Sequence, residues 1–184
     1  MTVGVTSTWN RSAPGPVAKT AESIVYYASI ESPIGPLLLA GDRRTLRVLW
    51  FGHGRKAQGP DPGWVESADE FASVTAQLRE YFAGRRTSFD IDVEPHGTDF
   101  QRRVWRALVE IPYGETTSYG ALARRIGAET AVRAVGLANG ANPIAIVIPC
   151  HRVIGAGGAL TGFGGGLPTK RALLDLEQGQ RTLL

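Results

Sequence analysis

The sequence has 184 residues, 43% of them hydrophobic, and a formal net charge of +3, which is enough apolar content for one compact domain or two small ones. Its single cysteine excludes an intramolecular disulfide and a cysteine-rich metal site. Because no apolar run approaches the roughly 20 residues that cross a bilayer, and the N-terminus lacks the basic-then-apolar order of a secretory signal, we expect a cytoplasmic protein without a membrane segment.

The chain opens with a leader, which is followed by three short apolar runs. Residues 1–22 are rich in Thr, Ser, Gly, Pro and Ala and have no apolar period, which favours a flexible tail. The apolar runs at 24–30, 37–40 and 46–51 are separated by turn residues. This pattern predicts strands of one antiparallel sheet.

An amphipathic helix is predicted after these strands. Ser67 and Glu70 form a capping-box pattern, and Gly84 stands where a C-terminal cap belongs. Apolar side chains recur between them at helical spacing, at Phe71, Val74, Leu78, Tyr81 and Phe82. Residues 88–93 then alternate polar and apolar, which predicts a last strand, and we place a domain boundary after His96.

The next segment predicts three helices. Thr98 and Gln101 give another capping pattern ahead of an apolar stripe. Ser118 caps a short helix, Gly127 breaks it, and helical spacing resumes over 130–139. A helix, a Gly-containing turn and a second helix are the outline of a helix-turn-helix, but also of an ordinary αα-hairpin, so the pattern alone leaves both open.

This second half is also more basic than the first. Residues 1–96 carry 10 Lys/Arg against 11 Asp/Glu, a net charge of −1, whereas residues 97–184 carry 10 against 6, a net charge of +4. A basic half is what a phosphate-binding face needs, although a difference of this size also arises by chance.

Reactive side chains follow an apolar run near residue 150. The run at 144–148 fits a buried strand, and it leads into Pro149, Cys150 and His151. A thiol is a good nucleophile only as the thiolate, and a neighbouring base such as His151 lowers the cost of ionisation. The alternative is a small buried hydrophobe beside a hydrogen-bonded histidine, which is what most Cys-His pairs are.

The C-terminal helix, with Pro168 in its first turn, carries a carboxylate on its apolar face. Glu177 follows Leu173 by four residues and Leu174 by three, so the three side chains share one face. A carboxylate that faces apolar packing needs hydrogen bonds or a cation, and His151 is a suitable partner. A solvated carboxylate near a frayed terminus is the alternative.

A glycine-rich segment, 155–166, lies between these two sites. It matches neither a phosphate-binding loop nor a dinucleotide-binding fingerprint, which makes nucleotide binding of those types unexpected. Glycine lets a backbone or a flat ring approach closely, so the segment suits a pocket wall with Phe163 in it, or else a flexible linker.

A family resemblance is carried by the segments IPYGETTSYGALA, RAVGLANGANP and IPCHRVIGAGGALTGFGGGLPTKRALLDLE. Over nearly all of residues 98–177 the chain resembles the O6-alkylguanine-DNA alkyltransferase (methylated-DNA-protein-cysteine methyltransferase) family, and the first half resembles its N-terminal domain more loosely. The implied fold is α+β. After the leader at 1–22, an antiparallel sheet with a packed helix, ribonuclease-H-like, spans 23–96, and a mostly helical domain with a helix-turn-helix spans 97–184.

The resemblance implies a DNA repair enzyme that transfers the alkyl group of O6-methylguanine irreversibly to Cys150, one turnover per molecule; activity on O4-methylthymine is left open. His151 would act on Cys150 as a base through a water, and Glu177 would orient and charge His151. Asn142 would hold the turn that shapes the site, and Tyr119 would donate its phenol proton toward N3 of the departing guanine.

The implied partner is double-stranded DNA that contains alkylated bases. The second helix of the helix-turn-helix would bind in the minor groove, and Arg133 would fill the space left by a flipped nucleotide. The other DNA-binding residues are Ser118, Thr130, Ala134 and Gly136, and the pocket residues are Val153, Phe163 and Gly164. We expect no cofactor, no metal, no membrane contact and a monomer, with cooperative binding on DNA left open.

The chain departs from the family pattern at two points, and two other classes compete with this reading. Phe163 stands where many members carry Tyr, which predicts retained but altered activity or substrate range. Some members bind zinc in the N-terminal domain, but this half offers only His53 and His96, so we predict no structural zinc. Proteins of the same fold that bind lesions without chemistry carry another residue in place of the cysteine, so Cys150 argues against that class. Residue spacing alone does not exclude a cysteine hydrolase or acyl transferase.

Overall fold

The computed structural model describes residues 24–54 and 57–180. The predicted flexible leader, residues 1–22, lies outside the described residues. No helix within the described ranges is long and apolar enough to cross a membrane.

The first half is built on a small mixed sheet. Its strands are β1 (Tyr26–Ile30), β2 (Leu37–Gly41), β3 (Leu46–Phe51) and β4 (Val65–Glu66). They lie in the order β3-β2-β1-β4. The antiparallel pairing of β1, β2 and β3 confirms the prediction, whereas β4 was not predicted and pairs parallel with β1.

Helix α1 (Ala72–Phe82) contributes its buried face to the same apolar cluster as the sheet. The predicted capping box of Ser67 and Glu70 is wrong, because neither α1 nor the 3-10 turn before it has a side-chain cap. The Ser67 backbone N–H pairs with β1, and Glu70 forms an ion pair with Arg43 at 3.2 Å. The predicted C-terminal cap is confirmed: Gly84 has a φ of +69° and donates its N–H to the Tyr81 carbonyl.

Two predicted strands are wrong. Segment 88–93 alternates buried and exposed side chains from Phe89 on, yet it forms only one parallel bridge, from Val93 to Leu46. Segment 144–148 is buried throughout but turns back on itself after a single parallel bridge between Ile144 and Leu49. A short apolar run reports that a segment is buried, not which backbone conformation it adopts.

The described part of the second half, 97–180, contains four helices: α2 (Asp99–Val109), α3 (Tyr119–Arg125), α4 (Val132–Gly140) and α5 (Leu167–Glu177). Both hydrogen bonds of the Thr98 capping box are present, and the Ser118 hydroxyl caps α3. Gly127, at a φ of +66°, ends α3, and a 3-10 turn at Glu129–Ala131 leads into α4. Helices α3 and α4 therefore form the predicted helix-turn-helix.

The two halves share one core. A single apolar cluster contains residues of the sheet, α1, α2 and α5. The backbone also crosses between the halves, because Leu49 donates to the Pro143 carbonyl at 2.9 Å and accepts from the Ala145 N–H at 3.0 Å. A second, two-stranded ladder pairs β5 (Thr117–Ser118) in parallel with β6 (Val153–Ile154). The segment around Cys150 is thus held from both sides.

Candidate active site

Two tight turns deliver the chain from the sheet edge to Cys150. The first centres on Ile146, whose φ of +70° is a costly conformation for a β-branched residue. The second centres on Pro149, whose φ of −81° and ψ of 63° are those of an inverse γ-turn. It closes with a 2.8 Å hydrogen bond from the Cys150 N–H to the Ile148 carbonyl. The strained backbone lies just ahead of the cysteine.

Asn142 braces this turn from inside. Its Nδ2 donates to the Ile148 carbonyl at 2.8 Å, and its Oδ1 accepts from the Ile144 N–H at 3.0 Å. One side chain therefore ties both ends of the 144–148 segment together.

The cysteine and the two residues after it form a 3-10 turn, Cys150–Arg152. Cys150 is 6% exposed and His151 is fully buried. His151 Nε2 lies 2.8 Å from Oε1 of Glu177, which sits in the last turn of α5. Because a carboxylate only accepts, Nε2 carries the proton and Nδ1 is left as the basic nitrogen. Nδ1 is buried and has no hydrogen-bond partner among the described residues.

Glu177 is 5% exposed and is surrounded by donors. Besides His151, Arg152 binds both of its oxygens, with Nε 2.8 Å from Oε2 and Nη2 2.9 Å from Oε1. The Tyr81 hydroxyl donates to Oε1 at 2.7 Å, and the Gly114 N–H to Oε2 at 3.3 Å. Gly114 has a φ of +79°, and a β-carbon there would come within 2.9 Å of the Glu177 carbonyl oxygen. The carboxylate is fully satisfied by groups of this chain.

These contacts give the two ionisable partners opposite roles. Burial lowers the pKa of His151, and the charges of Arg152 and Lys170 lower it further, against the pull of Glu177. Burial alone would raise the pKa of Glu177, but the hydrogen bonds and charge of His151 and Arg152 outweigh it and hold that pKa far below its usual range. We ascribe the result at neutral pH mainly to Arg152, because its guanidinium is always charged. The site thus pairs a neutral imidazole with an ionised carboxylate.

Lys170 is a buried cation that interacts electrostatically with the cysteine. Its Nζ donates to the carbonyls of Val153, at 2.6 Å, and Thr161, at 3.1 Å. Burial lowers the pKa of Lys170, whereas the negative charge of Cys150 as a thiolate raises it. An ammonium and a thiolate that interact in this way stabilise each other's charged forms.

Asn139, at the end of α4, connects that helix to the cysteine. Its Nδ2 lies 3.4 Å from the Cys150 carbonyl oxygen, and its Oδ1 is buried without a hydrogen-bond partner within the described part of the chain. Helix α4 is therefore linked to the backbone of Cys150 through one buried side chain.

Tyr119, the predicted proton donor, and the predicted pocket residues lie in α3, in β6 and in the glycine-rich segment. Tyr119 begins α3, and its hydroxyl accepts from the Thr161 hydroxyl at 3.3 Å. The Phe163 ring packs on Phe51 of β3, with centroids 5.2 Å apart. Val153 is fully buried behind the turn. The remaining residue, Gly164, is partly buried, and its carbonyl lies against Gly54.

The predicted DNA-binding residues share the region of α3 and α4. Arg133 and Ala134 are exposed on α4, next to Leu137, which is 71% exposed. Thr130 is exposed in the turn before α4. Ser118 and Gly136 are only partly exposed, and the Tyr119 ring lies against Gly136. These residues form a surface of their own, apart from the buried group around Glu177.

Four residues of this centre were not singled out from the sequence. Lys170 carried a signal, because it precedes Glu177 by two helical turns and lies on the same apolar face. Tyr81 carried a weaker one, since a phenol in an apolar stripe needs a hydrogen-bond partner. Arg152 lies in the segment that carries the family resemblance but had no assigned role. Nothing in the sequence around Asn139 indicated a contact with Cys150. Across the described ranges, no group of three His, Cys, Asp or Glu side chains could hold a metal ion.

Comparison with known families matches both halves of the chain. The model for the 6-O-methylguanine DNA methyltransferase ribonuclease-like domain matches residues 25–95. The model for the 6-O-methylguanine DNA methyltransferase DNA binding domain matches residues 99–179.

Individual relatives agree with these matches. A methylated-DNA–protein-cysteine methyltransferase of Methanosarcina acetivorans is 55% identical over 153 residues, which cover 83% of this chain and 98% of the relative. The protein of the same name from Mycobacterium bovis is 54% identical over 162 residues, covering 85% and 94% of the two chains. A crystal structure of Mycobacterium tuberculosis OGT in complex with DNA superposes with a TM-score of 0.80 at 54% identity, covering 84% of this chain and 94% of that one.

Proposed function

Because the chain belongs to the 6-O-methylguanine DNA methyltransferase family, we infer that it is a DNA-binding methylated-DNA–protein-cysteine methyltransferase that repairs DNA by alkyl transfer. We propose that the acceptor is Cys150 and that its substrate is O6-methylguanine in double-stranded DNA. One observation carries this: the cysteine directly precedes a buried His151 that is hydrogen-bonded to an ionised Glu177.

The proposed chemistry is a displacement at the alkyl carbon. His151 Nδ1 takes the thiol proton through a water, and the thiolate attacks the carbon attached to O6. The new S–C bond forms as the C–O6 bond breaks, and the guanine leaves with a proton that Tyr119 donates toward N3. The lowered pKa of His151 supports the role of base, because a neutral imidazole is ready to accept a proton at neutral pH. The ammonium of Lys170 supports the thiolate.

The buried cysteine requires the damaged base to leave the duplex. Cys150 is 6% exposed, and a base stacked in DNA cannot bring its O6 substituent to such an atom, so we propose base flipping. Arg133 would fill the gap in the stack, and its exposed position on α4 supports that role. Ser118, Thr130, Ala134 and Gly136 would face the sugar-phosphate backbone, where the small residues permit close approach. Val153, Phe163 and Gly164 would enclose the extruded base.

We also propose that each molecule reacts once. A thioether is not easily hydrolysed, and the sequence holds no second cysteine that could restore the thiol. We propose that the protein works on DNA in the cytoplasm as a monomer of two domains, 23–96 and 97–184.

Intact-mass measurement tests this function. The full chain is incubated with a duplex that contains one O6-methylguanine, and the same duplex without the methyl group is the control. We expect a lasting gain of one methyl per molecule, mapped to Cys150 by peptide analysis and lost in Cys150→Ser. Demethylation with many turnovers and no gain in mass would instead indicate a hydrolase, and no reaction at all would exclude the transferase.

A further inference from the structure

Tyr81 brings the first half of the chain into the proposed reaction centre. It lies in α1 and is fully buried, and its hydroxyl donates to Glu177 Oε1 at 2.7 Å across 96 residues of sequence. That same oxygen accepts from His151 Nε2. The Tyr81 hydroxyl and His151 Nε2 therefore donate to the same oxygen atom, Oε1 of Glu177.

Packing alone does not require this hydroxyl. The Tyr81 ring contacts the rings of Phe82, Phe89 and Tyr113, with centroids 5.5, 5.4 and 6.2 Å apart. A phenylalanine would make the same ring contacts. Within the described residues, the Tyr81 hydroxyl donates its hydrogen bond to Glu177. We therefore look for the effect of this hydroxyl on the carboxylate.

We propose that Tyr81 is a positioning residue for alkyl transfer: its hydroxyl sets the proton affinity of Glu177 and, through Glu177, that of His151. This inference rests on the proposed function of Cys150. A donor on Oε1 withdraws charge from the atom that binds the imidazole, and so weakens the pull of the carboxylate on a second proton at His151. The first half of the chain would then tune the base and not only support the fold.

Other charged or titratable groups also surround His151 and Glu177. Arg152 binds both oxygens of Glu177, Lys170 lowers the pKa of His151, and the Tyr113 ring lies 5.8 Å from the Arg152 guanidinium. Tyr81→Phe leaves the side chains of Arg152, Lys170 and Tyr113 in the protein and removes one hydroxyl. A change in the pH dependence of transfer can therefore be assigned to the lost hydrogen bond.

The test compares two changes at Tyr81 that should act in opposite directions. Tyr81→Phe removes the donor, so His151 should hold its proton more tightly and the acid limb of the rate profile should move up by about one pH unit. Incorporation of 3-fluorotyrosine at position 81 keeps the shape but makes the phenol a stronger donor, so the limb should move down. Rates are measured as Cys150 methylation by the free base O6-methylguanine, which leaves DNA binding out of the readout.

Two controls separate tuning from loss of structure. Leu78→Val removes packing from the same buried face of α1 and takes away no hydrogen-bonding group of Glu177. Tyr27→Phe removes a hydroxyl that contacts a surface carboxylate, Glu66, at 3.5 Å. Both should leave the acid limb in place.

Each outcome decides the matter. Opposite shifts from the two Tyr81 changes support the proposal. An unmoved limb in both, or an equal shift in Leu78→Val, overturns it even though the parent protein still methylates Cys150. A parent that never methylates Cys150 rejects the proposed function itself. If Tyr81→Phe does not fold, the fluorotyrosine protein decides alone, and an upward or absent shift counts against the proposal.

Discussion

Arg152 holds Glu177 by both oxygens, at 2.8 and 2.9 Å, and the two side chains are 9% and 0% exposed. A two-pronged, charge-assisted contact of this kind fixes the plane of the carboxylate as well as its charge. The orientation of His151 is therefore set by an arginine that directly follows it in the chain.

Replacing the carboxylate should damage both stability and chemistry. Glu177→Gln leaves the buried Arg152 without its counter-charge, which should lower the free energy of unfolding by about 3 to 5 kcal/mol in urea titrations. Transfer to Cys150 should slow by about a hundredfold or more, because the base loses its orienting partner. Asp175→Asn, on the same helix, is the control and should change neither. A Glu177→Gln protein with parental rate would remove the carboxylate from the mechanism.

The acidity of His151 predicts the pH range of the reaction. Its pKa is lowered by burial, so it stays neutral, and able to accept a proton, below the usual histidine pKa of about 6.5. Methylation rates should thus remain level as pH falls through about 6.5 and decline only in more acid solution. In NMR titrations the His151 signal should begin to move only below a pH of about 6.5, and its loss in His151→Gln identifies it. A rate that halves near the ordinary histidine pKa would contradict this.

The free energy of unfolding should also depend on pH through His151. Between the lowered folded pKa and the usual unfolded pKa of about 6.5, the unfolded chain binds a proton at this position that the folded chain does not. Stability is therefore full above the unfolded pKa and is lost as pH falls below it, by at most about 1.4 kcal/mol per pH unit for one proton. Urea unfolding of the parent and of His151→Gln across this range measures the slope, which should flatten in the variant.

Arg133 should matter for duplex DNA and not for free bases. If it fills the gap left by a flipped nucleotide, Arg133→Ala should reduce repair in a duplex by about tenfold or more, since flipping costs a few kcal/mol. Methylation by free O6-methylguanine should be unchanged. Arg79→Ala, an exposed arginine on α1, controls for general loss of positive charge. Equal losses on duplex and free base would contradict the proposed role.

Phe163 should influence which adducts are repaired. Its ring packs on Phe51, and Phe163→Tyr would add a hydroxyl while keeping that contact. We expect a changed ratio of rates between O6-methylguanine and a bulkier O6 adduct, with the fold intact. Identical rates for parent and variant on every lesion would remove the idea.

Local pattern predicted the fold where short-range chemistry decides it. The three antiparallel strands, the helix caps at Thr98 and Ser118, and the breaks at Gly84 and Gly127 follow from spacing and from turn chemistry. The cap at Ser67 failed because the backbone of Ser67 is taken by the sheet and the side chain of Glu70 by a distant arginine. Local preference gives way where tertiary contacts compete for the same group.

The site was predictable only in part. The pair of His151 and Glu177 could be inferred from a carboxylate on an apolar helix face, although their roles stay predictions. The apolar run at 144–148 predicts a strand, and nothing in such a run indicates the positive φ at Ile146. Tyr81 reaches Glu177 across 96 residues, and sequence periodicity carries no information about contacts at that distance. Arg152 and Asn139 contact partners only 25 and 11 residues away, but a basic side chain after a histidine and an amide near a helix end do not indicate which groups they bind.

The distance along the chain between His151 and Glu177, 26 residues, bears on how the protein is made. During synthesis Cys150 is made before Glu177 and the helix α5 that carries it. The growing chain therefore holds a thiol whose proposed base, His151, has not yet gained its carboxylate partner. Such a thiol is a poor nucleophile. If Cys150 is the acceptor proposed above, its reactivity toward stray alkylating agents should therefore depend on the docking of α5, which brings Glu177 to His151.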